Sequence, residues 1–299
     1  MSAPTGLGPV EVALVDAVDL LARDGEPVRC SDVLAAVEDR AGIGPRYAWL
    51  VLVDLGVAWR RHLPLVELYG NCGSALGDPP AEPAYVETRL SPVGVLALAA
   101  ERGDIGPVPL DLVDGSLYRG GRVPPFDPAR VVGALLAGAT DAGEPVLPTG
   151  GTVDGDLDGL LAGRPVRLTL GCTIRPEGGR LVITEVPLGA EANRIPSAVV
   201  DRSRQFERDP AGRGHHVVRR HGSPVVDVSD ESTARDGIRI VVQLDPGTDL
   251  LAARDWLRDV WPVTIHADCR LPASMAERLT AWDRRDGTGL RALADLLKH

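Results

Sequence analysis

Residues 64–90 read PLVELYGNCGSALGDPPAEPAYVETRL. An extended apolar lead, Leu65 and Val66, runs into a loop with glycines at 70, 73 and 77 and prolines at 79, 80 and 83. Glycine gives such a loop its tight turns and lets the backbone approach another molecule closely. The loop ends on a lone tyrosine, Tyr85, followed by Glu87 and Arg89. A tyrosine held there is either packed or a nucleophile, because its phenol attacks phosphorus once the proton is withdrawn or the oxyanion is stabilised.

Upstream, residues 10–22 place Val10, Leu14, Ala17, Val18 and Leu21 on one face at helical spacing. Ser31 is expected to cap a short helix over DVLAAVED, with Leu34 and Val37 inward. Gly42 and Gly44 make a turn, and Pro45 suits the first position of the next helix, RYAWLVLVDLG. Helix, turn and helix followed by a β excursion over 57–90 describe a winged helix, with the helix from Arg46 as recognition helix. Downstream, 92–101 and 129–139 read as helices around a loop-rich stretch. Strand-like runs at 166–170, 181–186 and 238–244 alternate with turns, which indicates an α+β layer. Residues 249–261 form an amphipathic helix, and 273–298 one or two helices broken at Gly287 and Gly289.

Composition bounds the function. The 299 residues are 25% charged and 44% hydrophobic, an ordinary globular balance. No apolar run approaches the roughly 20 residues that span a bilayer. The N-terminus lacks a charged stretch followed by an apolar core, so a cytoplasmic location is expected. Cys30, Cys72, Cys172 and Cys269 are scattered without a CxxC pair, so they read as reduced thiols and not as a zinc site. Net charge is −10, so any contact with nucleic acid must come from a local basic patch. The Arg- and His-rich stretch 202–223, with His215, His216 and His221, is either a solvated loop or such a patch. Arg60-Arg61-His62 reads first as a solvated strand end.

Residues 64–90 resemble the active-site segment of the A subunit of the type IIA DNA topoisomerases, DNA gyrase and topoisomerase IV. That family reads P-L-V-D-G-x-G-N-F-G-S-x-D-G-D and, seven residues on, a catalytic tyrosine in R-Y-T-E-A-R. Pro64, Leu65, Val66, Gly70, Asn71, Gly73, Ser74, Gly77 and Asp78 match, and Tyr85 falls at the tyrosine position without a gap. Further segments are similar: Val113-Asp114-Gly115-Ser116, Pro148-Thr149-Gly150-Gly151, LVITEVP at 181–187 and SDESTARDGIRIVVQL at 229–244. In the last, Asp230, Glu231, Arg235 and Asp236 read as a turn network. No Gly-Lys-Ser/Thr follows Gly151, so the pair of glycines is not read as a nucleotide loop.

The resemblance implies a winged-helix domain (1–101) carrying the tyrosine loop, a tower-like domain (102–270) and a C-terminal helical segment (271–299). The family's basic first helix, P-V-H-R-R, is here Pro9-Val10-Glu11-Val12-Ala13. Its H-P-H-G-D turn is Ala41-Gly42-Ile43-Gly44-Pro45 without histidine, and the arginine before its tyrosine is Ala84. A phenol with an ordinary pKa near 10 needs cations to stabilise the phenolate and the growing phosphoryl charge. Each such donor lost typically costs about 10²–10³ in rate. Arg46, Arg60, Arg61, His62 and Arg89 are the candidate replacements. Where the family carries a DNA-bending wedge this chain is shorter and reads Leu117-Tyr118-Arg119, taken first as a shortened surface loop, with Leu117 or Tyr118 as the alternative wedge.

The expectation is a homodimer that binds double-stranded DNA through Arg46, Arg60, Arg61, Arg89, Arg202, Arg204, Arg213, Arg219 and Arg220 and does not cleave it unaided. No cofactor or metal is implied, and docking to a gyrase B-type subunit is not expected from the short segment before Pro9. Two alternatives stand beside it. One is an active ATP-dependent type II topoisomerase subunit that uses Tyr85 as nucleophile with a partner chain. The other is a protein-interaction module that never touches DNA.

Overall fold

The computed structural model describes residues 5–208, 215–233, 237–282 and 286–298. The chain begins with α1 (Pro9–Leu21), β1 (Val28–Arg29), α2 (Cys30–Ala41), α3 (Pro45–Gly56), β2 (Val66–Tyr69), β3 (Glu87–Leu90) and α4 (Pro92–Arg102). β1, β3 and β2 form a small antiparallel sheet in that order. α1 packs on α2, α3 and α4, burying Leu14, Ala17 and Val18 against Val33, Leu34, Val37, Ala48 and Leu52. Pro45 begins α3 because its missing N–H is at a position that has no helical partner anyway. Ser31 does not cap α2, contrary to the sequence expectation. The helix starts directly out of β1, with Cys30 N–H bonded to the Val86 carbonyl at 2.9 Å, so Ser31 already lies inside it.

Two further helices follow, α5 (Leu110–Val113) and α6 (Pro128–Ala137). Next come β4 (Thr152–Asp154), α7 (Leu157–Leu161), β5 (Val166–Gly171), β6 (Thr173–Glu177) and β7 (Arg180–Glu185). Then follow α8 (Arg194–Ser203), β8 (Arg204–Arg208), β9 (His215–Arg219), β10 (Val225–Asp230) and β11 (Ile240–Leu244). α9 (Leu250–Arg258), β12 (Thr264–Cys269), α10 (Met275–Ala281) and α11 (Thr288–Leu296) close the chain. The fold is therefore α+β. Gly289 does not break the last helix, which corrects the sequence expectation. It lies within α11, where an added Cβ would meet the Gly106 carbonyl at 2.2 Å, so the glycine permits close packing.

Two apolar cores organise these elements. The larger joins α1–α6, the inner face of the β12-β5-β4 sheet, and α10 and α11; α11 lies on α4 and α6. The smaller lies between the β10-β11-β7-β6 sheet and helices α8 and α9. Cys172 directly follows β5 and is buried in the smaller core, while Leu168 and Leu170 of β5 belong to the larger one. Within the stretch 202–223, β8 and β9 pair as a separate two-stranded antiparallel sheet, and residues 209–214, Arg213 among them, lie outside the described residues. No described helix is long and apolar enough to cross a membrane.

Candidate functional site

The tyrosine loop joins β2 to β3, which pair in the register Glu67↔Arg89 and Tyr69↔Glu87. Its backbone folds on itself at two glycines. Gly70 has φ +124°, and a Cβ there would meet the Tyr85 carbonyl at 2.8 Å. Gly73 has φ +82°, and a Cβ would meet the Asp78 carbonyl at 2.6 Å. Asn71 closes the loop twice: its side chain accepts Gly73 N–H at 3.0 Å and its carbonyl accepts Ala81 N–H at 2.9 Å. Ser74 Oγ donates to Asp78 Oδ2 at 2.5 Å. The loop also reaches the smaller core, where Leu76 packs and its carbonyl accepts Asn193 N–H at 2.9 Å. Asn71, Gly73, Ser74 and Asp78, which carry the family resemblance, are thus the groups that shape the loop.

Tyr85 ends a single 3-10 turn, Pro83–Tyr85. The next residue, Val86, is fully buried and anchors the chain, so the phenol projects outward and is 78% exposed. Among the described residues nothing hydrogen-bonds its side chain. The candidate cations lie elsewhere or are engaged. Arg89 Nε donates to Glu67 Oε2 at 2.7 Å, and its guanidinium stands 5.6 Å from the centre of the Tyr69 ring. Tyr69 in turn donates to the same Glu67 oxygen at 2.5 Å. These two bonds, first that of Tyr69 and then that of Arg89, hold the Glu67 carboxyl below its usual range. Arg60 pairs with Asp54 at 3.3 Å. Burial pushes the Asp54 carboxyl above its usual range, and Arg60 pulls against that shift.

Arg61 requires a correction. It is neither a solvated strand end nor available to DNA, because it is 1% exposed. It pairs with Glu11 at 3.3 Å and with Asp114 at 3.1 Å. Asp114 also accepts His62 N–H at 2.8 Å, and Glu11 accepts Gly8 N–H at 2.8 Å and an ion pair from Arg119. A guanidinium inside a protein is tolerated only when paired in this way. The acid that replaces a family cation on α1 is therefore turned inward as this arginine's partner. His62 Nε2 contacts the Val146 carbonyl at 2.8 Å.

The remaining sequence candidates are dispersed. Arg46 is exposed on the first turn of α3, beside Tyr47 and Leu50, which are 58% and 56% exposed. Arg202 closes α8; Arg204, Arg219 and Arg220 lie on or beside the hairpin. Arg219 is held by Asp245 and Arg220 is half-buried, whereas Arg202 and Arg204 are exposed. The side chains of His215, His216 and Tyr118, and residues Arg235 and Asp236, lie outside the described part. Asp230 accepts Ser232 N–H, and Glu231 pairs with Arg239, which also binds Glu177. All four cysteines are free thiols, and burial pushes those of Cys30 and Cys172 up to about 12. No group of three or more metal-ligating side chains occurs among the described residues.

With this geometry in view, comparison with known proteins gives a type IIA topoisomerase A-like relationship. The chain is 30% identical over 240 residues to the A subunit of DNA gyrase from Aminobacterium colombiense (strain DSM 12261 / ALA-1), a match that covers 66% of this chain and 28% of that protein. It is 26% identical over 247 residues to the A subunit of DNA topoisomerase 4 from Bacillus subtilis (strain 168), covering 69% of this chain and 29% of that protein. The chain thus spans less than a third of the length of the curated relatives it matches. No family model matches it.

Proposed function

We propose that this chain is a duplex-DNA-binding protein of the topoisomerase A kind that cannot cleave DNA unaided. The observation that carries the second half is the setting of Tyr85: an exposed phenol with no bonded cation among the described residues, while Arg61 is buried and Arg60 and Arg89 are paired with acids. For the first half, the β1-β3-β2 sheet behind three packed helices supports a winged-helix reading, with α3 as the element facing DNA. Arg46, Arg202, Arg204 and Arg220 are the proposed phosphate contacts, with Arg89 and Arg219 available only on release from Glu67 and Asp245. In this reading residues 1–101 form a winged-helix part, 102–270 a tower-like part and 271–299 a helical end, and two chains assemble as a homodimer.

Fluorescence anisotropy of a labelled duplex over a series of salt concentrations tests it. Phosphate contacts make log K fall linearly with log salt, with a slope of about −0.9 per contact. Replacing Arg202, Arg204 and Arg220 together by alanine should flatten that slope. The absence of binding at low salt would favour the interaction-module alternative.

A further inference from the structure

The β12-β5-β4 sheet turns Leu168 and Leu170 to the larger core and presents a polar face outward. The register sets the rungs of that outer face: Thr152–Gly171–Thr264, then Asp154–Thr169–His266, then Arg167–Asp268. A polar outward face is ordinary for an antiparallel sheet. The first two rungs differ from the third because a cleft of about 480 Å³ opens over them, walled by Arg258, Asp259 and Trp261. Of the five tryptophans, Trp261 alone is exposed, at 63%. The turn that carries it is anchored: Val260 and Val263 are buried in the smaller core. Val260 N–H is bonded to the Leu257 carbonyl at 3.0 Å and Thr264 N–H to the Val260 carbonyl at 3.1 Å. A fixed turn thus holds in water an indole whose burial would remove roughly 150–250 Å² of surface.

The polar groups around the indole are uncommitted. On the third rung Arg167 and Asp268 pair across the strands at 2.9 Å. In the cleft, the side chains of Asp154, Arg258 and Asp259 have no ion pair or hydrogen bond among the described residues. The hydroxyls of Thr152 and Thr264 also lack a partner there, and neither is sealed from solvent. Gly171 lets Thr152 lean over the middle strand, since an added Cβ would fall 2.7 Å from the Thr152 Oγ1. His266 Nδ1 lies 3.3 Å from Thr169 Oγ1, which leaves Nε2 unpartnered among the described residues. Two carboxylates against one guanidinium make a poor seat for an anion. Donors and acceptors in mixture suit a neutral ligand whose groups do both, as hydroxyls do. A sugar ring adds an apolar C–H face that packs flat on an indole.

We propose that this cleft binds a carbohydrate, one ring stacked on Trp261 and its hydroxyls held by Asp154, Arg258 and the threonines. The cleft volume falls within the roughly 300–1,000 Å³ of small-molecule sites. The site is separate from the Tyr85 loop and does not depend on the DNA-binding reading. Isothermal titration of the full chain with maltose, cellobiose and lactose tests it. Saturable binding of at least one disaccharide is expected. Trp261→Ala should weaken it at least about tenfold, the loss expected when a stacked aromatic is removed. Asp154→Asn, which keeps the shape, should weaken it severalfold and serves if the Trp261 variant fails to fold. Tyr47→Ala, which removes an exposed aromatic on α3 away from the cleft, should bind as the parent does. No saturable binding of any of the three sugars, undiminished binding in Trp261→Ala, or equal loss in Tyr47→Ala would overturn the assignment. So would binding of oligothymidylate, lost in Trp261→Ala, in the absence of sugar binding, since the indole would then be stacking a base.

Discussion

Arg61 and Arg89 lie within one stretch of chain flanking the same loop, and each holds an acid, yet their settings differ. Arg61 is sealed between α1 and the segment after α5, with Glu11 and Asp114 supplying both charge and shape. Arg89 lies on β3 directly opposite Glu67 of β2, with its side chain 41% exposed and water available to both partners. The first arrangement is a structural lock. The second is a surface pair from which the arginine can be released. An arginine near a reactive tyrosine therefore says little about catalysis until its burial is known.

The comparison breaks first at Arg61. Arg61→Ala should destabilise the fold by about 3–5 kcal/mol, because it removes the guanidinium that the buried Asp114 and Glu11 carboxylates share, leaving Glu11 to Arg119; urea denaturation followed by circular dichroism measures this. A loss under about 1 kcal/mol, the surface-pair range, would erase the distinction. Next comes Gly94→Ala on α4, where the new Cβ would fall 1.9 Å from the Leu65 carbonyl at the base of the loop. Overpacking of this kind typically costs about 1–3 kcal/mol, and the same assay reads it.

A smaller effect sharpens the boundary between the two regions. Asp54 has its carboxyl pushed up by burial, so its folded pKa lies above its unfolded one. Its stabilising contribution is complete below the unfolded pKa and is lost as pH rises through the folded pKa. The stability of the parent relative to Asp54→Asn should therefore decline with rising pH across the carboxylate range, as melting at several pH values would show. The smallest effect belongs to Arg89→Ala, with an expected cost below about 1 kcal/mol that diminishes in high salt.

Much of this was legible in the chain. Glycines 70 and 73 and the Asn71 and Ser74 side chains fix the tyrosine loop through short-range geometry, which spacing records faithfully. Helix α3 could likewise be read from Pro45 and its apolar pattern. The fate of Arg61 could not, because its partners are 50 and 53 residues away. A clue existed: Glu11 shares the inward face of α1 with Leu14, Val15 and Val18, and an acid there demands a buried cation. The pairing of Tyr69 with Glu67 and Arg89 belongs to no motif, but alternation along β2 places Glu67 and Tyr69 on one face, where they can meet. A cavity of about 430 Å³ lined by Thr5, Gly6, Arg61 and Arg278 joins the first and last parts of the chain, and no local pattern announces it.

The most direct test is to mix the chain with a duplex bound at low salt, add a divalent cation, quench with denaturant and look for protein covalently attached to DNA. The account predicts none, with the parent and Tyr85→Phe indistinguishable. An adduct formed by the parent and absent from Tyr85→Phe would contradict it and show that the exposed phenol finds its cations when DNA is bound.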